Sequence, residues 1–299
     1  MRSLARNAVP AVSVAVLAAV TGCSNQADDA PVEGPTAAAQ AEPATELSHV
    51  HGLGLNPGDG LIYVATHNGL FVVEGDSARP VGEGRQDTMG FTITGPNAFL
   101  ASGHPAPGQD APTNLGLLSS DDAGTTWRAV AEEGRDFHAL TAAEEFVYGL
   151  DSSSGVLMSS SDGGSTWHSR AAVPARTVDV SPTDPQHLLA TTEAGLMLSD
   201  DGGATFTAQT PQPPELLVLV DHIPADGPAS SQATVAGLDT TGQLWTFDGQ
   251  GWTGPSVSVG GAPHAFTALG PDAYLAATES GIFRTDDAGR SWHKVPTQS

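Results

Sequence analysis

The chain has 299 residues, with 34 acidic side chains against 11 basic ones and a formal charge of −23. That excess repels phosphate backbones and argues against a nucleic-acid partner, and ten Arg with one Lys are too few for a polybasic membrane patch. A single cysteine excludes an internal disulfide, cysteine-rich zinc sites and an iron–sulfur cluster.

The chain starts with Arg2 and Arg6, followed by a nearly continuous apolar run from Ala8 to Val20. Thirteen residues fit the central region of an export signal and are too short to span a bilayer. The run ends Val20-Thr21-Gly22-Cys23, which resembles a bacterial lipobox. The resemblance implies a signal peptide over 1–22, cleavage before Cys23, lipidation of its sulfur and an anchor on the outer face of the cytoplasmic membrane. Residues 23–47 are rich in Ala, Pro, Glu, Gln and Thr without apolar periodicity, the composition of a disordered tether. The folded body is expected over 48–299.

One motif recurs in that body. It reads Ser120-Asp121-Asp122-Ala123-Gly124-Thr125-Thr126-Trp127, then Ser160-Ser161-Asp162-Gly163-Gly164-Ser165-Thr166-Trp167. Further copies are Ser199-Asp200-Asp201-Gly202-Gly203-Ala204-Thr205-Phe206 and Thr285-Asp286-Asp287-Ala288-Gly289-Arg290-Ser291-Trp292. The copies resemble the Asp-box of neuraminidase-like and sortilin-like repeats. An Asp that accepts backbone N–H groups, with Gly at positive φ, suits a hairpin turn, so Asp122, Asp162, Asp201 and Asp287 are read as structural. The Asp positions are 40, 39 and 86 residues apart; the last interval is two periods, and the degenerate copy lies at Thr246-Phe247-Asp248-Gly249-Gln250-Gly251-Trp252. A second repeat, as in Ala65-Thr66-His67-Asn68-Gly69-Leu70-Phe71 and Ala276-Ala277-Thr278-Glu279-Ser280-Gly281-Ile282-Phe283, adds a blade upstream. A period near 40 with four short strands per unit predicts an all-β fold, a six-bladed β-propeller of four-stranded antiparallel blades. The units run 49–86, 87–133, 136–172, 175–211, 215–258 and 262–297. Met158, Met197 and Phe283 fall at core positions, and Tyr63, Tyr148 and Tyr274 at one shared packing position.

Each unit opens with an innermost strand. Aligned on the turns that follow, His51, Met89, His138, Arg176, Val218 and His264 become equivalent and form a ring about the axis. Side chains two apart share a face, which puts His49, Asp87 and Asp136 one layer along the same wall. His67 and His104 follow second strands near the same mouth. His168, His187, His222 and His293 are assigned to loops or outer strands without a role. Imidazoles with a thioether suit copper, and imidazoles with carboxylates suit zinc. A wet polar channel, or a small anionic ligand on Arg176 and protonated His, are the other readings of the ring.

The sialidase chemistry that the Asp-box resemblance brings to mind needs an arginine triad, and only Arg176 is placed on the axis. Asp87, Asp136, Asp151, Glu193 and Glu279 supply carboxylates near the mouth for a different hydrolase. The stretches His49-Val50-His51-Gly52-Leu53-Gly54-Leu55, Gly90-Phe91-Thr92-Ile93-Thr94-Gly95-Pro96, Ala101-Ser102-Gly103-His104-Pro105 and Asn114-Leu115-Gly116-Leu117 resemble a family of exported actinobacterial proteins that carry a glycosylhydrolase label. Three functions follow: a tethered envelope protein that binds a metal or small ligand, a hydrolase of envelope or host glycans, and a scaffold for other envelope proteins.

Overall fold

The computed structural model describes residues 47, 49–224 and 234–298. The lipobox, Cys23 and the tether up to Glu46 lie outside the described residues. Twenty-four strands form six four-stranded antiparallel sheets, each made of four consecutive strands in simple order. Their innermost strands are Val50–Leu55, Asp87–Gly95, Phe137–Ala143, Ala175–Ser181, Leu217–His222 and Pro263–Ala268. Each innermost strand touches those of the two neighbouring blades, and the sixth touches the first, so the sheets close into a propeller. Blades are numbered 1 to 6 in that order.

Second strands carry unbroken apolar runs because both faces of each sheet are covered by neighbours. Ile62–Thr66 and Tyr274–Thr278 are buried at every position. Apolar clusters fill the wedges between blades; Tyr148, Leu157, Val178 and Leu188, for example, join blades 3 and 4. Outermost strands are short and largely exposed, as in His168–Ala172. Among the described residues no strand is exchanged between the ends. Blade 6 packs directly on blade 1 through Val64, Phe71, Leu275 and Ile282, with Leu47 and Val295 against the same cluster. Gln298, the last described residue, bridges Ser77 on the outer strand of blade 1 and donates its backbone N–H to the Asp76 carbonyl at 2.8 Å. The two ends of the described body therefore meet.

The repeated turns link the third and fourth strands of blades 2, 3, 4 and 6. In each, Asp Oδ1 accepts the backbone N–H four residues on, and Oδ2 accepts that residue's hydroxyl, as Asp162 does from Thr166 at 2.8 and 2.7 Å. The preceding Ser or Thr donates to the same carboxylate and accepts the turn glycine's N–H, as Ser160 does at 2.7 and 2.9 Å. These hydrogen bonds hold Asp162, Asp201 and Asp287 down at about 2. The turn glycine then packs on the neighbouring blade. A Cβ on Gly124, Gly164, Gly203 or Gly289 would come within 2.2, 2.2, 2.3 or 3.0 Å of Leu70, Leu117, Leu157 or Leu244. Each of these leucines is the first or second residue of the third strand of the preceding blade.

The tyrosines are buried packing residues, but they do not share one position. Tyr63 pairs with Gly54 and Tyr148 with Thr141, whereas Tyr274 pairs with Ala268, one step away. One step along a strand reverses the face. Tyr63 and Tyr148 pack toward the following blade and Tyr274 toward the preceding one.

Candidate metal centres on the innermost strands

The six aligned positions are equivalent in a way that register makes explicit. In every innermost strand the pairing skips one residue near its start, and the skipped residues are His51, Met89, His138, Arg176, Val218 and His264. A bulge leaves its residue out of the ladder and re-aims the side chain. Arg176 shows how far such a side chain reaches: its Nη2 donates to the Pro263 carbonyl of blade 6 at 3.1 Å, past blade 5.

Among the described residues, close donor contacts pick out two trios, each with one carboxylate and each straddling a blade boundary. In the first, His51 Nε2 lies 3.2 Å from His67 Nδ1 and 3.5 Å from Asp87 Oδ1, and His67 Nδ1 lies 2.8 Å from the same oxygen. In the second, Asp136 Oδ1 lies 2.9 Å from His138 Nε2 and 3.6 Å from His104 Nε2. Two of the three positions in each trio are related by the repeat; the third differs, for His51 is the bulge residue of the blade that supplies His67 and His138 that of the blade that supplies Asp136. His67 and His104 both follow the residue paired at the bulge, and Asp87 and Asp136 both stand two residues before it. Blade 2 serves both centres, for Asp87 and His104 are paired across its two inner strands. Gly103 makes that pairing possible: at φ +153 a Cβ there would lie 1.8 Å from the Asp87 carbonyl. Met89 occupies the bulge between the two trios.

His49 and His264 adjoin the first trio without entering it. The His49 ring lies 5.0 Å from those of His51 and His67 and 5.1 Å from that of His264. Glu193 and Glu279 are exposed. Asp151 is buried and held by Arg135 at 3.0 Å and Ser154 at 2.7 Å, a structural arrangement that leaves no free carboxylate for catalysis.

The electrostatics of the trios point one way. Asp87 Oδ1 and Asp136 Oδ1 are buried and receive no hydrogen bond of acceptable geometry, although imidazole nitrogens surround them. His104 Nδ1 lies 3.1 Å from the Thr113 carbonyl, an acceptor, so Nδ1 carries the proton. In the neutral ring its Nε2 lone pair faces Asp136, a repulsion that a cation between them relieves. Burial foremost, then the charge of His67, lowers His51 to about 4 and keeps its imidazole neutral, and burial lowers His264 in the same sense. Neutral imidazoles and an unsolvated carboxylate oxygen are the donors a divalent ion takes. For a tetrahedral ion bound at about 2.0–2.1 Å, the donor atoms sit about 3.3 Å apart. The three edges of the first trio, 3.2, 3.5 and 2.8 Å, bracket that value.

Two histidines set aside from the sequence are misplaced by that reading. His222 ends the innermost strand of blade 5 and is buried, and His187 lies on the second strand of blade 4. His222 Nδ1 is 2.6 Å from Asp179 Oδ2, and the two imidazole rings are 5.5 Å apart. Asp179 and Asp221 stand three residues after their bulges, at the position of Thr141 and Thr267. Together these side chains accept backbone N–H groups from the next blade around the wall: Thr141 from Val180, Asp179 from His222, Asp221 from Ala268.

No family model matches the chain, and no curated protein matches it by sequence. Among solved structures it is similar to a GH74 enzyme from Niastella koreensis, with 15% identity and a TM-score of 0.59 over 84% of this chain and 46% of that one. It is also similar to the GH74 xyloglucanase of Xanthomonas campestris (17%, TM-score 0.54, 83% and 45%). A third likeness is to a virginiamycin B lyase from Staphylococcus aureus crystallised with quinupristin (10%, TM-score 0.54, 85% and 86%). The chain spans less than half the length of the two GH74 proteins. At these identities the likeness is one of fold, the β-propeller.

Proposed function

We propose that this is an exported, lipid-anchored propeller that binds divalent metal at two related centres, His51/His67/Asp87 and His104/Asp136/His138, and presents each ion with an open coordination position. The observation that carries the reading is the pair of buried carboxylate oxygens, each faced by two imidazole nitrogens at 2.8–3.6 Å without a satisfactory hydrogen bond. Two imidazoles with a carboxylate favour zinc or a similar borderline ion; Met89, at the bulge between the trios, is the feature that would favour copper. Three protein donors leave room for a water or a substrate atom on the ion. The test is metal content of untagged protein by mass spectrometry, beside a His51→Ala/His138→Ala double variant. The reading expects two equivalents in the parent and a loss of both in the variant at unchanged fold. Parent protein that retains no metal after dialysis against micromolar zinc and shows no zinc-dependent melting shift would contradict it.

The neighbouring GH74 enzymes support a second reading, a glycosidase on the same scaffold. It needs two carboxylates free to act on either side of a glycosidic bond. Asp87 and Asp136 are each engaged by imidazoles instead, so a hydrolytic role would run through bound metal. A glycan-hydrolysis screen with and without chelator separates the two readings.

A further inference from the structure

Blade 5 is the blade whose turn has degenerated, and the consequence lies in the wedge between blades 4 and 5. In the four intact turns the aromatic residue follows the Asp by five positions; from Asp248 to Trp252 the interval is four. Asp248 accepts only the backbone N–H groups of Gln250 and Gly251, both at 2.8 Å. No turn glycine is pressed onto Leu196, the counterpart in blade 4 of Leu70, Leu117, Leu157 and Leu244. Leu196 instead lines a cavity of about 450 Å³ with Leu189, Leu198, Phe247 and Trp252. That volume lies within the usual range for small-molecule sites.

Ser181, Gln209, Thr210 and Thr234 also line the cavity, and one corner carries imidazoles, those of His222 and His187. His222 is 7% exposed, and its Nε2 is buried without a hydrogen-bond partner. The other ring nitrogen is committed to Asp179 at 2.6 Å. Asp221 is held well above the ordinary carboxylate range by burial foremost and then by Asp179 beside it, while Asp179 Oδ2 also accepts the backbone N–H of His222 at 2.7 Å. Asp179 Oδ2 is thus placed as the acceptor of the Nδ1 proton, which in the neutral ring leaves Nε2 as a lone pair. A buried acceptor without a donor costs free energy that a suitable ligand restores. The indole N–H of Trp252 is already spent on the Pro211 carbonyl at 2.9 Å, so Trp252 offers its ring and not its donor.

We propose that this cleft binds a small, ring-bearing apolar molecule with one hydroxyl group, whose ring packs among Leu196, Phe247 and Trp252 and whose O–H donates to His222 Nε2. The site is separate from the two trios and does not depend on metal. 2-Naphthol and its O-methyl ether serve as probes, for they share a ring system and differ in the donor. Calorimetric titration of the full chain is expected to show naphthol binding five- to tenfold more tightly than the ether. In a His222→Asn variant the amide can keep the bond to Asp179 but cannot reach to Nε2, and the preference for naphthol disappears. A Leu198→Trp variant, which narrows the cleft from a half-buried wall position, weakens both probes while leaving metal content unchanged. Equal affinities for the two probes, no binding of either at millimolar concentration, or naphthol binding that survives both substitutions would each overturn the proposal.

Discussion

The turn glycines offer a sharp test of how the blades are held. Replacing Gly164 with Ala places a methyl group 2.2 Å from Leu117 Cδ2 at a residue whose φ is +90°. Normal carbon contacts lie near 3.5–4.0 Å, so either the leucine or the turn must move. Its neighbour Gly163 has φ +69°, and a Cβ there meets nothing within 4 Å. Gly163→Ala therefore carries the conformational cost alone, roughly 1–2 kcal/mol. Gly164→Ala adds overpacking of about 1–3 kcal/mol, for a total of about 2–5 kcal/mol. At roughly 2–4 °C per kcal/mol for a domain of this size, the melting temperature falls by about 10 °C for Gly164→Ala and about 4 °C for Gly163→Ala. Leu117→Ala by itself opens a cavity worth roughly 2–5 kcal/mol. Combined with Gly164→Ala, it should cost less than the sum of the two, by the overpacking share. Urea unfolding of the three single and double variants measures this cycle. Equal losses for Gly163→Ala and Gly164→Ala, or strict additivity with Leu117→Ala, would refute the claim that the turn glycine locks onto the preceding blade.

Three further outcomes are expected. Asp136→Asn should lower bound zinc from two equivalents to one and leave the His51 centre loaded; loss of both ions, or of neither, would show that the trios are not separate centres. The turn carboxylates Asp162, Asp201 and Asp287, lowered to about 2 from 3.8, contribute stability that is fully present above pH 3.8 and is lost as pH falls toward 2. A triple Asn variant should therefore be less stable than the parent at pH 7 and show a flatter melting-temperature profile between pH 4 and 2, whereas parallel profiles would count against these hydrogen bonds. Tyr148 donates to the Pro185 carbonyl of blade 4 at 2.7 Å, so Tyr148→Phe should cost about 1–2 kcal/mol in urea unfolding, and a neutral result would show that water takes the carbonyl over.

The blade count was legible because Asp, Gly and Trp recur at fixed offsets and each offset has a mechanical reason. The equivalence of His51, Met89, His138, Arg176, Val218 and His264 was legible for the same reason: turns at the far end of each inner strand set the register. What the alignment did not carry is side-chain direction after a bulge, so the grouping of His51, His67 and Asp87, and of His104, Asp136 and His138, was not legible. A one-residue slip in register moved Tyr274 to the opposite face of its blade. His222 was assigned to a loop or outer strand because blade 5, like blade 3, lacks the Asn-Pro, Gly-Pro or Ser-Pro turn that aligned blades 1, 2, 4 and 6. The cavity beside it left one trace in the sequence, the turn that is a residue short.

The central claim concerns cations at the two trios, and anomalous X-ray scattering at the zinc edge tests it most directly. Crystals of untagged protein grown with zinc should show two anomalous peaks, each about 2 Å from one Asp oxygen and two His nitrogens, at His51/His67/Asp87 and at His104/Asp136/His138. Absence of anomalous density at both trios, with ordered water or direct imidazole–carboxylate hydrogen bonds in its place, would contradict the account.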